Sequence, residues 1–340
     1  MGLNKGFALK RVFKRTEFYV FGVLITLSVI LTIVNPTFLT LENIFDLLRN
    51  YAFLGILALG ELVVLISGGI DVSFTATATV AQYVMGIIIS KYYVDNIVIA
   101  LLIPIPIGIA LGAVNAVLTY FTRVHSVIIT IATLNVYYGL LIFITTGTWL
   151  YNLPPSFSSF ARLKVFQFVN EAGIPYGLSI LTVLWILAIA LTWFILNRLP
   201  IGRKIYAMGG NAEAARRAGF NLFRIQLFVY SYMGFLAGLA SFVHAQLAQI
   251  IQPNAIVGRE LDVLAAAILG GASVFGGAGT ITGTVLGVLL IAIIKNGLIL
   301  MKVSSYWHQV VVGLIIVIAA STTAYQYKMR AKRMVRIDVK

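Results

Sequence analysis

The sequence predicts an all-α, polytopic membrane protein of about ten transmembrane helices, and three observations carry that expectation. The 340 residues are 60% hydrophobic and 11% charged, with a mean hydropathy of +0.97, too little polar surface to coat a water-soluble domain of this size. Apolar runs recur at the length needed to cross a hydrocarbon core, for which roughly 20 helical residues span about 30 Å. Seventeen of the 25 Lys and Arg residues lie in 5–15, 198–224 and 328–340, each beside an apolar run, the positive-inside pattern of cytoplasmic segments.

Taken in order, the predicted spans are 18–34, 51–66, 72–90, 97–121, 126–146, 177–196, 223–250, 261–275, 280–300 and 306–322. The first has a basic approach but no small-x-small cleavage site before Asn35 and Pro36, so it reads as a retained span. Pro104 and Pro106 are expected to kink the fourth. Six spans before the basic loop at 197–222 and four after it place that loop and both termini on the cytoplasmic side. The segment 147–176 then falls outside, where Trp149 and Tyr151 suit the membrane interface and Arg162, Lys164 and Glu171 are available to a partner protein. Small residues one turn apart, Gly108/Gly112, Gly234/Gly238, Gly283/Gly287 and more loosely Ser73/Thr77/Ala81, mark close helix crossings.

The whole chain reads as one transmembrane domain: a cytoplasmic N-terminus at 1–17, a first repeat at 18–146, the external loop, a second repeat at 177–322 and a basic cytoplasmic tail at 323–340. Five spans on each side of the external loop require the second repeat to be inverted. Gly69-Ile70-Asp71-Val72-Ser73 and Glu260-Leu261-Asp262-Val263-Leu264 support the duplication, each setting an Asp at the start of a segment rich in small residues.

Within the cytoplasmic loop, Asn211 to Gly219 spells a complete short helix. Asn211 is placed to cap the free amides, Glu213 sits in the first turn, Arg216 and Arg217 in the last, and Gly219 at the left-handed closing position. Its apolar side is mostly alanine, Ala214 and Ala215 included, which is too slight to insert into lipid and suits a protein groove.

Polar residues inside apolar runs are the other candidates. Glu61 is an ionisable group within a span and a functional candidate for that reason, with a hydrogen bond across helices as the plain alternative. Asp71 and Asp262 are expected to cap the helices they precede, with solute contact as the alternative, and to do both where the helix ends border the pathway. Ser73, Asn115, Asn135, Gln246 and Asn296 are neutral groups able to line a route for hydroxylated solutes. His125, His244 and His308 have no second ligand at metal spacing and read as packing or interfacial residues. The absence of cysteine excludes disulfides, thiolate metal sites and cysteine nucleophiles. No paired catalytic constellation is present, and the net charge of +14 is accounted for by lipid headgroups rather than nucleic acid.

Gly202-Arg203-Lys204-Ile205-Tyr206-Ala207-Met208-Gly209-Gly210-Asn211, with Glu213-Ala214-Ala215-Arg216, resembles the cytoplasmic coupling loop of ribose-type ABC sugar permeases. Ser67-Gly68-Gly69-Ile70-Asp71-Val72-Ser73 is similar to that family's motif after the second span. Glu260-Leu261-Asp262 through Leu269-Gly270-Gly271-Ala272-Ser273, then Gly276, Gly277 and Gly279, resembles its late glycine-rich motif. The resemblance covers roughly 45–320 and departs at Val124-His125-Ser126, where the family often has prolines, and at Glu61, where an uncharged residue is expected.

It implies a type II ABC importer-like permease in the bacterial inner membrane, without ATPase activity of its own. Carbohydrate import would then need a second, identical or homologous, permease subunit, a cytoplasmic ATPase that holds ATP and Mg, and an extracytoplasmic solute-binding protein. The absence of G-x-x-x-x-G-K-[ST] agrees with ATP being held on another chain. Gly209 to Gly219 would dock on that ATPase. The solute implied is a monosaccharide or a sugar-derived signalling molecule. The competing reading is an ion-coupled secondary transporter, for which only Glu61 offers an acidic site within a span.

Overall fold

The computed structural model describes residues 16–304 except 171, together with scattered positions from 306 to 321. The basic segments at 5–15 and 328–340, His308, Glu171 and much of the predicted span 306–322 lie outside the described residues.

The chain folds as α1 (Thr16–Val34), a 3-10 turn (Pro36–Leu39), α2 (Leu41–Ile66), α3 (Phe74–Lys91), α4 (Ile97–Leu102), α5 (Pro104–Thr122) and α6 (Ser126–Thr145). A connecting segment follows with α7 (Pro155–Phe160) and a hairpin of β1 (Lys164–Val169) and β2 (Pro175–Ser179). Then come α8 (Ile180–Arg198), α9 (Pro200–Gly210), α10 (Ala212–Arg217), α11 (Leu222–Ala248), α12 (Glu260–Leu269) and α13 (Ile281–Leu300).

Among the described residues, seven helices are long and apolar enough to cross a membrane: α1, α2, α4 with α5, α6, α8, α11 and α13. The predicted span 261–275 is corrected, because α12 has ten residues and reaches about 15 Å at 1.5 Å per residue, half a hydrocarbon core. It ends at Gly270 in a run of turns, in which Gly271, Gly276, Gly277 and Gly279 take φ values of +72° to +159°. The second span begins ten residues earlier than predicted, at Leu41, capped by the Thr40 hydroxyl on the Asn43 amide at 3.3 Å. The fourth is broken as the prolines predict, with Pro104 opening α5 immediately after Ile103.

The bundle is built around α2, whose residues from Ala52 to Ile66 are all buried, with α3 and α11 against it. The paired small residues explain how backbones come so close. A Cβ on Gly108 would stand 2.1 Å from the Gly234 carbonyl oxygen, and one on Gly112 would stand 2.2 Å from that of Tyr230. The two glycine pairs are thus the two halves of one crossing, between α5 and α11. Gly283 and Gly287 make the same kind of contact with Gly270 and Ala266, joining α12 to α13. Apolar side chains of α1, α6 and α8, such as Ile33, Phe143 and Leu187, point outward from the bundle, as helix faces toward lipid do.

The hairpin was not anticipated. β1 and β2 are antiparallel with Phe168 opposite Tyr176, and both rings stack near Phe45 of α2, with centroids 5.7 to 6.5 Å apart. A two-way backbone bridge between Leu150 and Ile251 ties the segment before the hairpin to the one after α11.

Candidate functional site

Two neighbouring structures gather most of the sequence candidates: a polar network inside the bundle and a glycine-built junction beneath it.

The network starts where α2 stops. Gly68 turns the chain at φ +88°, and residues 67–73 form a non-helical connector before α3 begins. Backbone amides in such a connector need partners, and side chains from α6 supply them. The Ile70 amide donates to Ser126 Oγ at 2.9 Å and the Val72 amide to Thr130 Oγ1 at 3.3 Å. Asp71 Oδ1 accepts from the Ser73 amide at 2.8 Å and from its hydroxyl at 2.6 Å. Asn115 of α5 donates to Ser73 Oγ at 2.6 Å, and Tyr137 of α6 donates to Asn115 Oδ1 at 3.3 Å. Glu61 Oε1 accepts from the Asp71 amide at 3.4 Å, while its other oxygen has no partner although the residue is fully buried. Four candidates, Glu61, Asp71, Ser73 and Asn115, therefore form one chain of hydrogen bonds.

The remaining four lie apart. Asp262 was expected to cap α12, but that helix has no side-chain cap, and the carboxylate pairs with Lys295 of α13 at 2.5 Å. Lys295 went unnoticed in the sequence because a lone Lys in an apolar run signals nothing until its partner is known. Asn296 exchanges reciprocal hydrogen bonds with Asn43 at 3.0 and 3.1 Å, fastening α13 to α2. Gln246 is fully buried with neither amide atom paired. Asn135 is exposed at the tenth of the 20 residues of α6, its only bond a 2.8 Å donation to the Ile131 carbonyl of its own helix.

The basic loop at 197–222 folds as the local chemistry predicts. Asn211 Oδ1 accepts from the Ala214 amide at 2.9 Å, Glu213 lies 3.2 Å from Arg217 and 3.7 Å from Arg216, and Gly219 closes the turn at φ +83°. Ala214 and Ala215 complete α10, with Ala215 turned inward.

Three glycine motifs far apart in sequence meet just above it. A Cβ on Gly209 would stand 1.8 Å from the Ile66 carbonyl oxygen and 2.8 Å from the Gly277 amide nitrogen. Gly277 donates to that Ile66 carbonyl at 2.9 Å, and a Cβ on Gly276 would lie 2.8 Å from Gly68 Cα. Tyr206 donates to the Gly279 carbonyl at 2.8 Å. The end of α9 is thus packed backbone to backbone against the end of α2 and the turn after α12. Atoms this close cannot slide independently, so the end of α9 is fixed relative to both.

Beside the junction is a cavity of about 790 Å³, walled by residues 67–69, the α5–α6 turn, α10 and the start of α11. Sequence reasoning missed Thr119, Gln226 and Tyr230, which line it, because only the assembled helices bring them together.

Comparison with known proteins agrees with the geometry. Residues 43–320 match the family described as branched-chain amino acid transport system / permease component. The chain is similar to a ribose import permease protein of Haemophilus influenzae, 34% identical over 309 residues, covering 90% of this chain and 92% of the relative. It is similar to a ribose import permease protein of Bacillus subtilis, 37% identical over 297 residues, covering 87% and 89%. An autoinducer 2 import system permease protein of Photorhabdus luminescens is 28% identical over 308 residues, covering 91% and 89%. No solved structure gives a significant match.

Proposed function

The chain belongs to the branched-chain amino acid/ribose ABC permease family, and from that premise we propose that it carries a monosaccharide or a sugar-derived signalling molecule inward by alternating access. It is the membrane-spanning, non-catalytic component of an ABC importer. The observation that carries the mechanism is the glycine junction, which packs the end of α9, one residue before the short capped helix α10, against the end of α2 and the turn after α12.

In this reading Gly209, Gly210, Asn211, Glu213, Ala214, Ala215, Arg216, Arg217 and Gly219 form the coupling surface. A cytoplasmic ATPase, holding ATP and Mg, pushes on α10, and a second permease subunit and an extracytoplasmic solute-binding protein complete the importer. The network of Glu61, Asp71, Ser73 and Asn115, with Asn135 exposed beyond it, supports a polar route for a hydroxylated solute in which Ser73, Asn115 and Asn135 are the neutral groups. Gln246 extends that set, whereas Asp262 and Asn296 are already held by Lys295 and Asn43.

The inverted-repeat reading, 18–146 and 177–322 with both termini cytoplasmic and α12 as an interrupted element rather than a full span, is supported by a hydrogen bond from Thr75 to Glu260. It joins the starts of α3 and α12, the two segments that correspond in the repeat, as interrupted helices do in transporters of this kind.

The test is uptake into proteoliposomes holding this chain with the ATPase and binding protein encoded beside it. ATP-dependent accumulation of ribose, abolished by Glu213→Ala or Arg216→Ala while the binding protein still captures solute, is the expected result. Uptake by this chain alone, without ATP, would sink the reading in favour of ion coupling.

A further inference from the structure

The turn from α5 to α6 is only residues 123–125, so two helices able to cross a membrane meet at its surface with little chain between them. The cavity of about 790 Å³ beside the glycine junction opens at this turn, and its charged lining is basic. Arg123 and His125 are exposed there and pair with no carboxylate among the described residues. Arg216 lines the same cavity and shares Glu213 with Arg217, at 3.7 and 3.2 Å, one carboxylate for two guanidinium groups. No Asp or Glu is part of the lining. Helix ends do not set the sign of the site. Ser67 and Arg123 close α2 and α5 on it while Ser126 and Leu222 open α6 and α11 on it, two carbonyl ends against two amide ends. The arginines decide, and what they favour is an anion.

An apolar track leads to the same place. On α5, Val114, Val117, Leu118 and Phe121 are exposed at spacings of three and four, one face of the helix running about 10 Å toward the turn at 1.5 Å per residue. The track ends in a ring cluster: Phe121 lies 5.3 Å from Tyr120 and 5.7 Å from Phe223 between centroids, and Tyr120 and Phe121 also line the cavity. Aromatic rings gather at the headgroup level of a membrane, and basic pockets between spans hold anionic headgroups there. A protein carboxylate or a free phosphate would meet the arginines but leave the exposed stripe unexplained.

We propose that this cavity is a headgroup site for one anionic phospholipid, with its phosphodiester held by Arg123, His125 and Arg216 and its acyl chains along the exposed face of α5. The volume lies in the ordinary range of small-molecule sites and holds a headgroup with its water. Arg216 belongs to α10, so a bound lipid links the proposed coupling helix to the α5–α6 turn through one phosphate. The proposal needs only that the chain sits in a membrane, and it is independent of which solute is carried.

Native mass spectrometry of the full chain in detergent, titrated with phosphatidylglycerol or with zwitterionic phosphatidylcholine, tests it. Phosphatidylglycerol is expected to bind about fivefold or more tightly than phosphatidylcholine, and Arg123→Gln to weaken it about fivefold, the usual effect of one basic residue near an anionic lipid. Arg203→Gln removes an exposed charge of α9 outside the cavity lining and should leave the affinity unchanged. Phe121→Ser, on the apolar track, should weaken phosphatidylglycerol with long acyl chains and spare a short-chain form. Melting temperatures measured beside the titrations show that each variant is folded. No preference for phosphatidylglycerol in the parent chain, or equal loss in Arg123→Gln and Arg203→Gln, would overturn the proposal as attraction to overall charge. Displacement of the lipid by inorganic phosphate at constant ionic strength would overturn it in favour of a free-anion site. Displacement by a saturating amount of the partner ATPase would overturn it by assigning the cavity to the motor.

Discussion

Gly209 and Gly210 are identical letters in the sequence, and the fold gives them opposite roles. A methyl at 209 would press on the Ile66 carbonyl at 1.8 Å, where both neighbours are backbone and cannot turn aside, while nothing lies within 4 Å of a methyl at 210. Gly209→Ala is therefore expected to lower ATP-driven uptake by about tenfold or more, as small misplacements at a mechanical contact do. Gly210→Ala should stay within about twofold of the parent, because nothing is displaced and an exposed Gly-to-Ala change within a helix is mildly favourable. Equal loss in both variants, measured as solute taken up per ATP hydrolysed, would show that the junction does not transmit movement. The capped helix beside them was legible beforehand because its signals are local: Asn211, Glu213 and Gly219 act within a few residues of one another. The junction was not legible, because it joins residues near 66, 209 and 277 that only the packed bundle brings into contact.

Among the elements, the α12–α13 pair shows how a tertiary partner overrides a local rule. Asp262 was expected to act as a cap, yet a lysine 33 residues onward in a well-packed helix supplies a full opposite charge for the carboxylate. Both side chains keep less than a fifth of their exposure. Lys295→Met leaves the carboxylate unpaired and should cost about 3 kcal/mol or more, the usual result of stranding one partner of a buried ion pair. The double variant Asp262→Asn/Lys295→Met should recover most of that loss, since no charge is then left alone. Thermal melting of the purified chain in detergent checks this, and strictly additive losses would refute the coupling. Outside the bundle, α7 is held at its start by Asp95, whose carboxylate accepts the Ser156 amide at 2.8 Å. The Ser156 amide and hydroxyl hold this exposed carboxyl below its ordinary value. The contribution is thus complete above the ordinary Asp range, near about 3.9, and disappears only as pH falls through the depressed value. Amide exchange at Ser156 should stay slow at neutral pH and accelerate, relative to its intrinsic rate, only in acid; acceleration already at pH 6 would show that another group supports the turn. The β1–β2 hairpin escaped the sequence reading because its alternating Phe166 and Phe168 are exposed apolar residues beside a long hydrophobic helix, and hydropathy does not separate the two.

The molecule as a whole is built to be covered. An exposed carboxamide halfway along a span is costly against lipid tails, because the hydrogen bonds it leaves unmade find no substitute there. Asn135 satisfies one donor within its own helix and leaves its acceptor outward, on a face that also carries Ile131 and Gly139. A carboxamide in that position belongs against water in a pathway or against a second permease subunit, and in a paired importer the two are the same surface. This much could be suspected from an Asn in an apolar run; which way it points required the rotation of α6 set by Thr130 and Tyr137. Asn135→Leu should leave the chain folded, since no bond to another helix is lost, and should even favour an isolated subunit in lipid. In the assembled importer the same change removes a polar lining group and is expected to lower uptake by about tenfold, the order of a lost hydrogen bond to a hydroxylated solute together with its desolvation. Uptake measured beside the melting temperature separates the outcomes: lower transport at unchanged or raised stability puts this face on the pathway, and unchanged transport puts it against lipid.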